Sequence, residues 1–334
     1  MKKNDMKNLR PFDGQHCETT ATGTLLAHIG IELSEPMLFG LAEGLSFIYW
    51  KMKTMDFPFL GGRIKPDLLT QHICKNLGLN LSVHETSSKV KAWQAVQQLL
   101  DRGQPVGLKL DAYHLEYFAK PFHFAGHYVA IYGYDHDNAY LVDTRQQGGS
   151  VLTSLASLVL ARAEKGPMAS KNLYYTIAGS GGDLDLKEVL IAAMVNNAKE
   201  YLAPPISNIS YKGILKTAEE LTKWYKTSHA IESEFKMAAN LMENAGTGGA
   251  LFRNLYRDFI KESYDLLQIE QIAEVHHEFA QIALLWTSLS ELFNQIAETV
   301  SFDDLQQASE ILKTLATKEK NAMKLLVSLE HGVS

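Results

Sequence analysis

Cysteine is the scarcest informative residue in this chain: Cys17 and Cys74 are the only two in 334 residues. Two thiols cannot build the disulfide framework of a small secreted scaffold, and without a CxxC pair they do not make a zinc ribbon. An excess of positive charge is also lacking. Lys and Arg number 32 against 38 Asp and Glu, a formal charge of −6, which argues against a nucleic-acid or anionic-membrane partner, since those normally need a basic patch. The longest apolar region, Pro36 to Trp50, holds Glu43 and two glycines and is too short to span a bilayer. The first residues are basic and polar and lack the apolar stretch of a secretory signal. The expectation is a soluble, cytoplasmic chain with reduced thiols. What is present is 46% hydrophobic against 21% charged residues, which supplies a sizeable core and excludes global disorder.

At roughly 100–200 residues per domain, the length suggests two domains. The character changes near Gly179–Gly182, which places the division at 1–180 and 181–334. Before it, helical patterns alternate with short β-rich runs. Cys17 to His28 reads as a helix entered from a polar turn, Ser34 to Tyr49 as a second with Ser34 as N-cap, and Pro66 to Leu77 as a third. The runs 79–85, 105–111, 127–135, 139–144 and 172–179 read as strands, with helices over 89–102 and 153–163. Helices first and an antiparallel sheet later define an α+β domain. After the division every segment has helical spacing, and Ile269 to Val300 is longer than most globular helices. The second domain is therefore all-α.

Cys17 follows the turn Asp13–His16 and opens a helix. A thiol there faces unpaired backbone N–H groups and the positive end of the helix dipole, which favour a thiolate. The same N–H groups can hold an oxyanion after attack on a carbonyl. The alternative is a small buried hydrophobe, the role expected of Cys74 within its apolar helical run. Downstream, His127 and Asp143 are sixteen residues apart around a polar turn at Asp135–Asn138. In a regular hairpin turning near Asp135 they stand opposite each other on one sheet face, where a carboxylate orients an imidazole. A bulge or a one-residue slip is expected to undo this.

A cysteine at a helix start, with a strand histidine 110 residues on and an aspartate on the next strand, is the order used by papain-like cysteine enzymes. Gln15 is a candidate oxyanion donor, although it stands only two residues before the cysteine. His16 is a candidate assistant to the thiol, Arg63 of Gly61–Gly62–Arg63 a candidate anion holder, and Tyr113 and Tyr117 candidates to line a polar cleft. An ordinary turn or strand role is the alternative for each. Gly246–Gly249 ahead of Arg253 and Arg257 offers either a phosphate-binding helix start or an interhelical turn.

The segments 13–47, 60–63 and 126–144, with GTGGALFRNLYRDFIKES over 246–263, resemble the butirosin biosynthesis protein H family across nearly the whole chain. The resemblance implies a papain-like N-terminal domain and an acyltransferase that moves an aminoacyl group from an acyl carrier protein to an aminoglycoside amine. It further implies Cys17 as nucleophile, His127 as base and Asp143 as orienting acid. No metal, nucleotide or other cofactor is called for. Two other functions stay open: a peptidase or amidase of the same machinery with water as acceptor, and a non-catalytic binding protein on the same scaffold. The long helix of the second half is compatible with completing the pocket, binding a carrier protein or forming a homodimer.

Overall fold

The computed structural model describes residues 4–6, 9–166, 168–180 and 185–331. In chain order the elements are β1 (Asn4–Asp5), α1 (Cys17–His28), α2 (Glu35–Leu41), β2 (Leu45–Trp50), β3 (Phe59–Arg63), α3 (Leu68–Asn76), β4 (Asn80–His84), α4 (Lys89–Asp101), β5 (Val106–Leu110), β6 (His127–Tyr134), β7 (Asn138–Val142), β8 (Ser150–Ser154), α5 (Leu155–Ala163) and β9 (Tyr174–Ala178). Six longer helices follow: α6 (Leu186–Leu202), α7 (Ser210–Thr227), α8 (Ile231–Glu243), α9 (Arg253–Leu267), α10 (Glu270–Thr299) and α11 (Phe302–Ser328). They group into two compact units, one from residues 1–38 and 66–184, the other from 39–65 and 185–334.

The first unit is built on an antiparallel sheet of order β4-β9-β5-β6-β7-β8, with β1 pairing β6. Val106, Leu108 and Leu110 alternate along β5, and Val129 and Ile131 along β6. They pack with Leu141 of β7, Val96 and Leu100 of α4, and Leu158 and Ala161 of α5 in one core cluster. Strand alternation on the sheet and helical steps on the helices thus converge on one apolar layer. Helix α1 is different, because its threonines are as buried as its leucines. They are satisfied internally: Thr20 and Thr24 hydroxyls donate to the carbonyls of His16 and Thr20, and Thr22 meets Thr70 and Tyr175. Buried hydroxyls with partners are tolerated where bare ones are not.

The second unit contains α6 to α11 and the hairpin of β2 and β3. Two expectations change here. The helix expected over 34–49 ends at Leu41; Glu43 takes a left-handed φ of 54°, and Leu45–Trp50 becomes a strand paired with Phe59–Arg63. The run LSFIYW is aromatic and branched, and it prefers a pleated strand to a helix once a partner strand is near. The expected single division at 180/181 lies beside residues 181–184, outside those described, and residues 39–65 group with the helices rather than with the sheet. Close packing fixes that hairpin's entry: a Cβ on Gly40 would lie 2.1 Å from the Phe259 ring. Lesser differences are an added strand at Ser150–Ser154 before α5, and a left-handed turn over Ala250–Phe252 before α9, within a half expected to have helical spacing throughout.

The core of the helical unit holds a buried ion pair. Arg253 and Glu319 are both fully buried, joined at 2.9 and 2.8 Å in a two-pronged contact. Trp286 Nε1 and the Tyr201 hydroxyl donate to the same carboxylate, and the guanidinium also donates to the Leu251 and Gly62 carbonyls. Arg257 is bound to Asp258 and Asn254. Arg253 is therefore committed to protein partners, which favours the turn reading of Gly246–Gly249 over a phosphate site.

Candidate active site

The site begins with the entrance to α1. His16 has extended backbone and occupies the N-cap position without a side-chain cap. The cap comes from α2 instead: Glu35 accepts the N–H groups of Gln15 (2.8 Å) and His16 (2.8 Å) and the Thr19 hydroxyl (2.8 Å). Burial pushes the Glu35 carboxyl up, and the His16 and Gln15 N–H groups and the Thr19 hydroxyl oppose that. Gly14 is required beside it, since a Cβ there would lie 2.3 Å from Thr20 Oγ1 and 3.0 Å from the Glu35 carboxylate. The helical ladder starts with Thr20 N–H donating to His16 O at 2.9 Å. The Cys17 N–H lies ahead of that ladder, at the positive end of the helix, beside its own sulfur.

The second half of the site is the β6–β7 hairpin. Its turn is His136–Asp137, closed by Asp135 N–H donating to Asn138 O (2.9 Å), with Asp135 Oδ1 accepting the Asp137 and Asn138 N–H groups. Tyr134 pairs with Ala139 and Gly133 with Tyr140. Continued regularly, that register would set Asp143 opposite Ala130, on the face away from His127. A bulge at Tyr132 shifts it: Ile131 pairs with Leu141 and Ala130 with Val142. One step further Asp143 comes opposite Val129, which shares His127's face. The expected turn near Asp135 and the directly opposed pair are thus corrected. The two residues are diagonal neighbours, and the bulge, expected to break the geometry, is what restores the shared face.

Diagonal reach is enough for these side chains. His127 Nε2 meets Asp143 Oδ2 at 2.7 Å. The same oxygen accepts the Tyr117 hydroxyl at 2.7 Å, and Oδ1 accepts the Thr144 N–H at 2.6 Å. Asp143 is wholly buried, and Cys17 and His127 are each 7% exposed. With Nε2 on the carboxylate, the ring turns Nδ1 to its other partner, the Cys17 side chain. Burial pushes the imidazole pKa down, but the Asp143 charge, its hydrogen bond and the Cys17 sulfur outweigh burial and hold it at about 10. Burial and then Asp143 push the Tyr117 phenol well up, so it stays a neutral donor. The chain after Asp143 returns to the α1 entrance: Arg145 N–H donates to Gly14 O (2.8 Å), and its guanidinium pairs with Asp13 at 2.7 Å. These contacts tie the carboxylate's strand to the cysteine's helix.

The remaining candidates separate. Gln15 spends its backbone N–H on Glu35 and its side chain is exposed. His16 is buried, with its N–H on the same carboxylate. Tyr113 is exposed and stacks on His123 at 4.0 Å. Arg63 ends β3 in the helical unit and donates to Ile64 O. Tyr117 joins the site, on the aspartate. Glu35 and Phe118 were not anticipated; the Phe118 ring meets the His127 ring edge-on at 5.4 Å. Cys74 is core, and burial pushes its thiol up to about 12. Among the described residues no helix is long and apolar enough to cross a membrane.

A cysteine heading a helix, set against an antiparallel sheet whose neighbouring strands supply histidine and aspartate, is the papain-like α+β arrangement. The family model described as butirosin biosynthesis protein H, N-terminal, matches residues 16–144, and that described as domain of unknown function (DUF4872) matches 156–326. The chain belongs to the butirosin biosynthesis protein H family, with that family's N-terminal domain followed by its helical one. No protein with a curated description matches it. Among solved structures, a protein described as a C39-like peptidase from Bacillus anthracis is similar at 17% identity and a TM-score of 0.37, over 54% of this chain and 98% of that one.

Proposed function

We propose that the protein is a cysteine acyltransferase that passes an acyl group from a thioester to a small amine through an acyl-enzyme on Cys17. The observation that carries this reading is His127, held between the Cys17 side chain and Asp143 with its pKa near 10. At neutral pH the imidazole then carries its proton, and Cys17 Sγ, the group facing it, is the nucleophile. A bond forms from Sγ to the thioester carbonyl carbon. The Cys17 N–H stabilises the oxyanion, the donor's C–S bond breaks, and the departing thiol takes the proton from His127. In the second half the amine attacks the acyl-Cys17 carbonyl and gives its proton to His127, and Cys17 leaves as thiolate. Donor thioester and amine become amide and free thiol. Asp143 keeps the ring oriented throughout and its charge favours the imidazolium.

The family's description with butirosin biosynthesis supports a carrier-protein thioester as donor and an aminoglycoside-like amine as acceptor, in antibiotic biosynthesis. The mild negative charge suits a cationic acceptor. The test is intact mass spectrometry after exposure to an N-acetylcysteamine thioester. The wild-type chain gains one acyl group and Cys17→Ala gains none; acylation that survives in Cys17→Ala removes Cys17 as nucleophile. Adding amine to the purified acyl-enzyme separates transferase from hydrolase, because a transferase releases amide in preference to acid.

A further inference from the structure

Asp143 Oδ2 serves two side chains, His127 and Tyr117, and the chain between β5 and β6 is shaped to deliver the second. Leu115 is buried in the core cluster of the first unit. The Phe118 N–H donates to Leu115 O at 3.1 Å, which closes a turn with Glu116 and Tyr117 at its centre. Those two side chains take different partners. Glu116 accepts the N–H (2.7 Å) and hydroxyl (2.9 Å) of Ser154, the N-cap residue of α5, and the Thr153 hydroxyl at 3.2 Å. Tyr117 reaches Asp143 at 2.7 Å. The Tyr117 and Phe118 rings pack on the same core cluster, 5.3 Å apart, and Phe118 stands edge-on to the imidazole. The phenol is thus held by the core behind it, by the α5 N-terminus through Glu116, and by the ring beside it.

The last torsion of an aspartate is broad, so the strand by itself does not set the plane of the Asp143 carboxylate. Its donors set it: the Thr144 N–H on Oδ1, with His127 and Tyr117 on Oδ2. With the phenol on one lone pair of Oδ2, the other is left for Nε2. Nε2 held there turns Nδ1 to the Cys17 side chain. We infer that Tyr117 is a positioning residue, whose hydroxyl fixes the Asp143 carboxylate so that the imidazole stays turned toward Cys17. The inference deepens the acyl-enzyme reading and rests on it for its effect on rate. Burial and Asp143 keep the phenol protonated, so it is a neutral donor on Oδ2. Such a donor takes up part of the charge that would otherwise act on the imidazolium. Removing it loosens the orientation of His127 without weakening the charge that faces it, a combination that lost packing would not produce.

The experiment compares the full chain with Tyr117→Phe, which keeps the ring and removes the donor. In the histidine-labelled protein, NMR follows the Nε2 proton of His127, recognised by its loss in His127→Gln, and its exchange with water. Exchange should be about tenfold faster in Tyr117→Phe, the order of opening that one hydrogen bond to a charged group suppresses. The His127 pKa should stay at about 10 or rise. Acylation of Cys17 by an N-acetylcysteamine thioester should slow by about tenfold. Tyr117→4-aminophenylalanine, which restores a neutral donor on the same ring, should recover most of both losses. Unchanged exchange, an unchanged acylation rate, or a His127 pKa that falls toward 6.5 in Tyr117→Phe overturns the positioning role. Failure of 4-aminophenylalanine to recover the losses also overturns it, by assigning them to ring packing. A wild-type chain that no thioester acylates overturns the acyl-enzyme reading instead, and the exchange and titration of His127 still decide what Tyr117 does to the His127–Asp143 pair.

Discussion

Replacing Asp143 with asparagine keeps the size of the side chain and removes its charge. In the wild type Oδ1 is engaged by the Thr144 N–H and Oδ2 by both His127 and Tyr117. The asparagine must keep its carbonyl oxygen on Thr144 N–H, which turns the amide NH₂ toward His127. Nε2 then has to accept, so the ring is neutral with its one proton on Nδ1, facing Cys17. The carboxylate is also the main force raising His127 against burial, so without it the ring falls from about 10 to its ordinary 6.5 or lower. At 1.36 kcal/mol per pH decade, that gap is about 5 kcal/mol of preference for the imidazolium. At pH 7.5 the ring goes from almost wholly protonated to about one-tenth protonated. The assay is Cys17 alkylation by iodoacetamide followed by intact mass, with Cys74 as the buried internal control. Wild-type Cys17, beside an imidazole that stays charged over that range, should lose less of its labelling rate from pH 9 to pH 6 than the variant does. The Asp143→Asn variant should slow on the order of 100-fold over that range, as an ordinary thiol does. Stability follows the same group. His127 is raised in the folded state, so its contribution is complete below pH 6.5 and is lost as pH rises through about 10. The difference in Tm between wild type and Asp143→Asn should therefore narrow from pH 6 to pH 10. Equal labelling of the two proteins at pH 6 would refute the argument that Asp143 holds the proton on His127.

Two further perturbations test the supports of the two units. Glu35→Ala removes the carboxylate that caps α1 from α2, and should cost about 1–2 kcal/mol in urea unfolding, with Cys17 labelling less reproducible across pH; a loss below about 0.5 kcal/mol would mean that solvent serves the Gln15 and His16 N–H groups equally well. Arg253→Met strands Glu319 in a fully buried site and should cost about 3–5 kcal/mol, followed by Trp286 fluorescence. The double change Arg253→Met with Glu319→Leu should recover most of that loss, and failure to do so would show that the pair, rather than the unpaired charge, sets the stability.

How much of this was legible in the sequence is clearest at the hairpin. The residue types, the order of Cys17, His127 and Asp143, and the even spacing of the last two all pointed to one sheet face. Even spacing leads to the right face through the wrong register. The turn at His136–Asp137 alone would have placed Asp143 on the opposite face, and the bulge at Tyr132 reverses that. Two parity errors cancelled, and neither a turn centre nor a bulge is fixed by alternation, which counts residues but does not locate the extra one. The same limit explains Leu45–Trp50. Its apolar run suits a buried helix as well as a strand, and only the partner at Phe59–Arg63 decides between them. Glu35 was out of reach for another reason, and so was the partner of Tyr117, which the sequence offers only as a residue lining a cleft. Each acts on a residue distant in sequence, twenty positions from Gln15 and twenty-six from Asp143, and a lone glutamate or tyrosine carries no local signal of such a partner. What periodicity can read is which residues share a face; what holds the reacting groups in place is a set of long-range hydrogen bonds that the fold alone brings together.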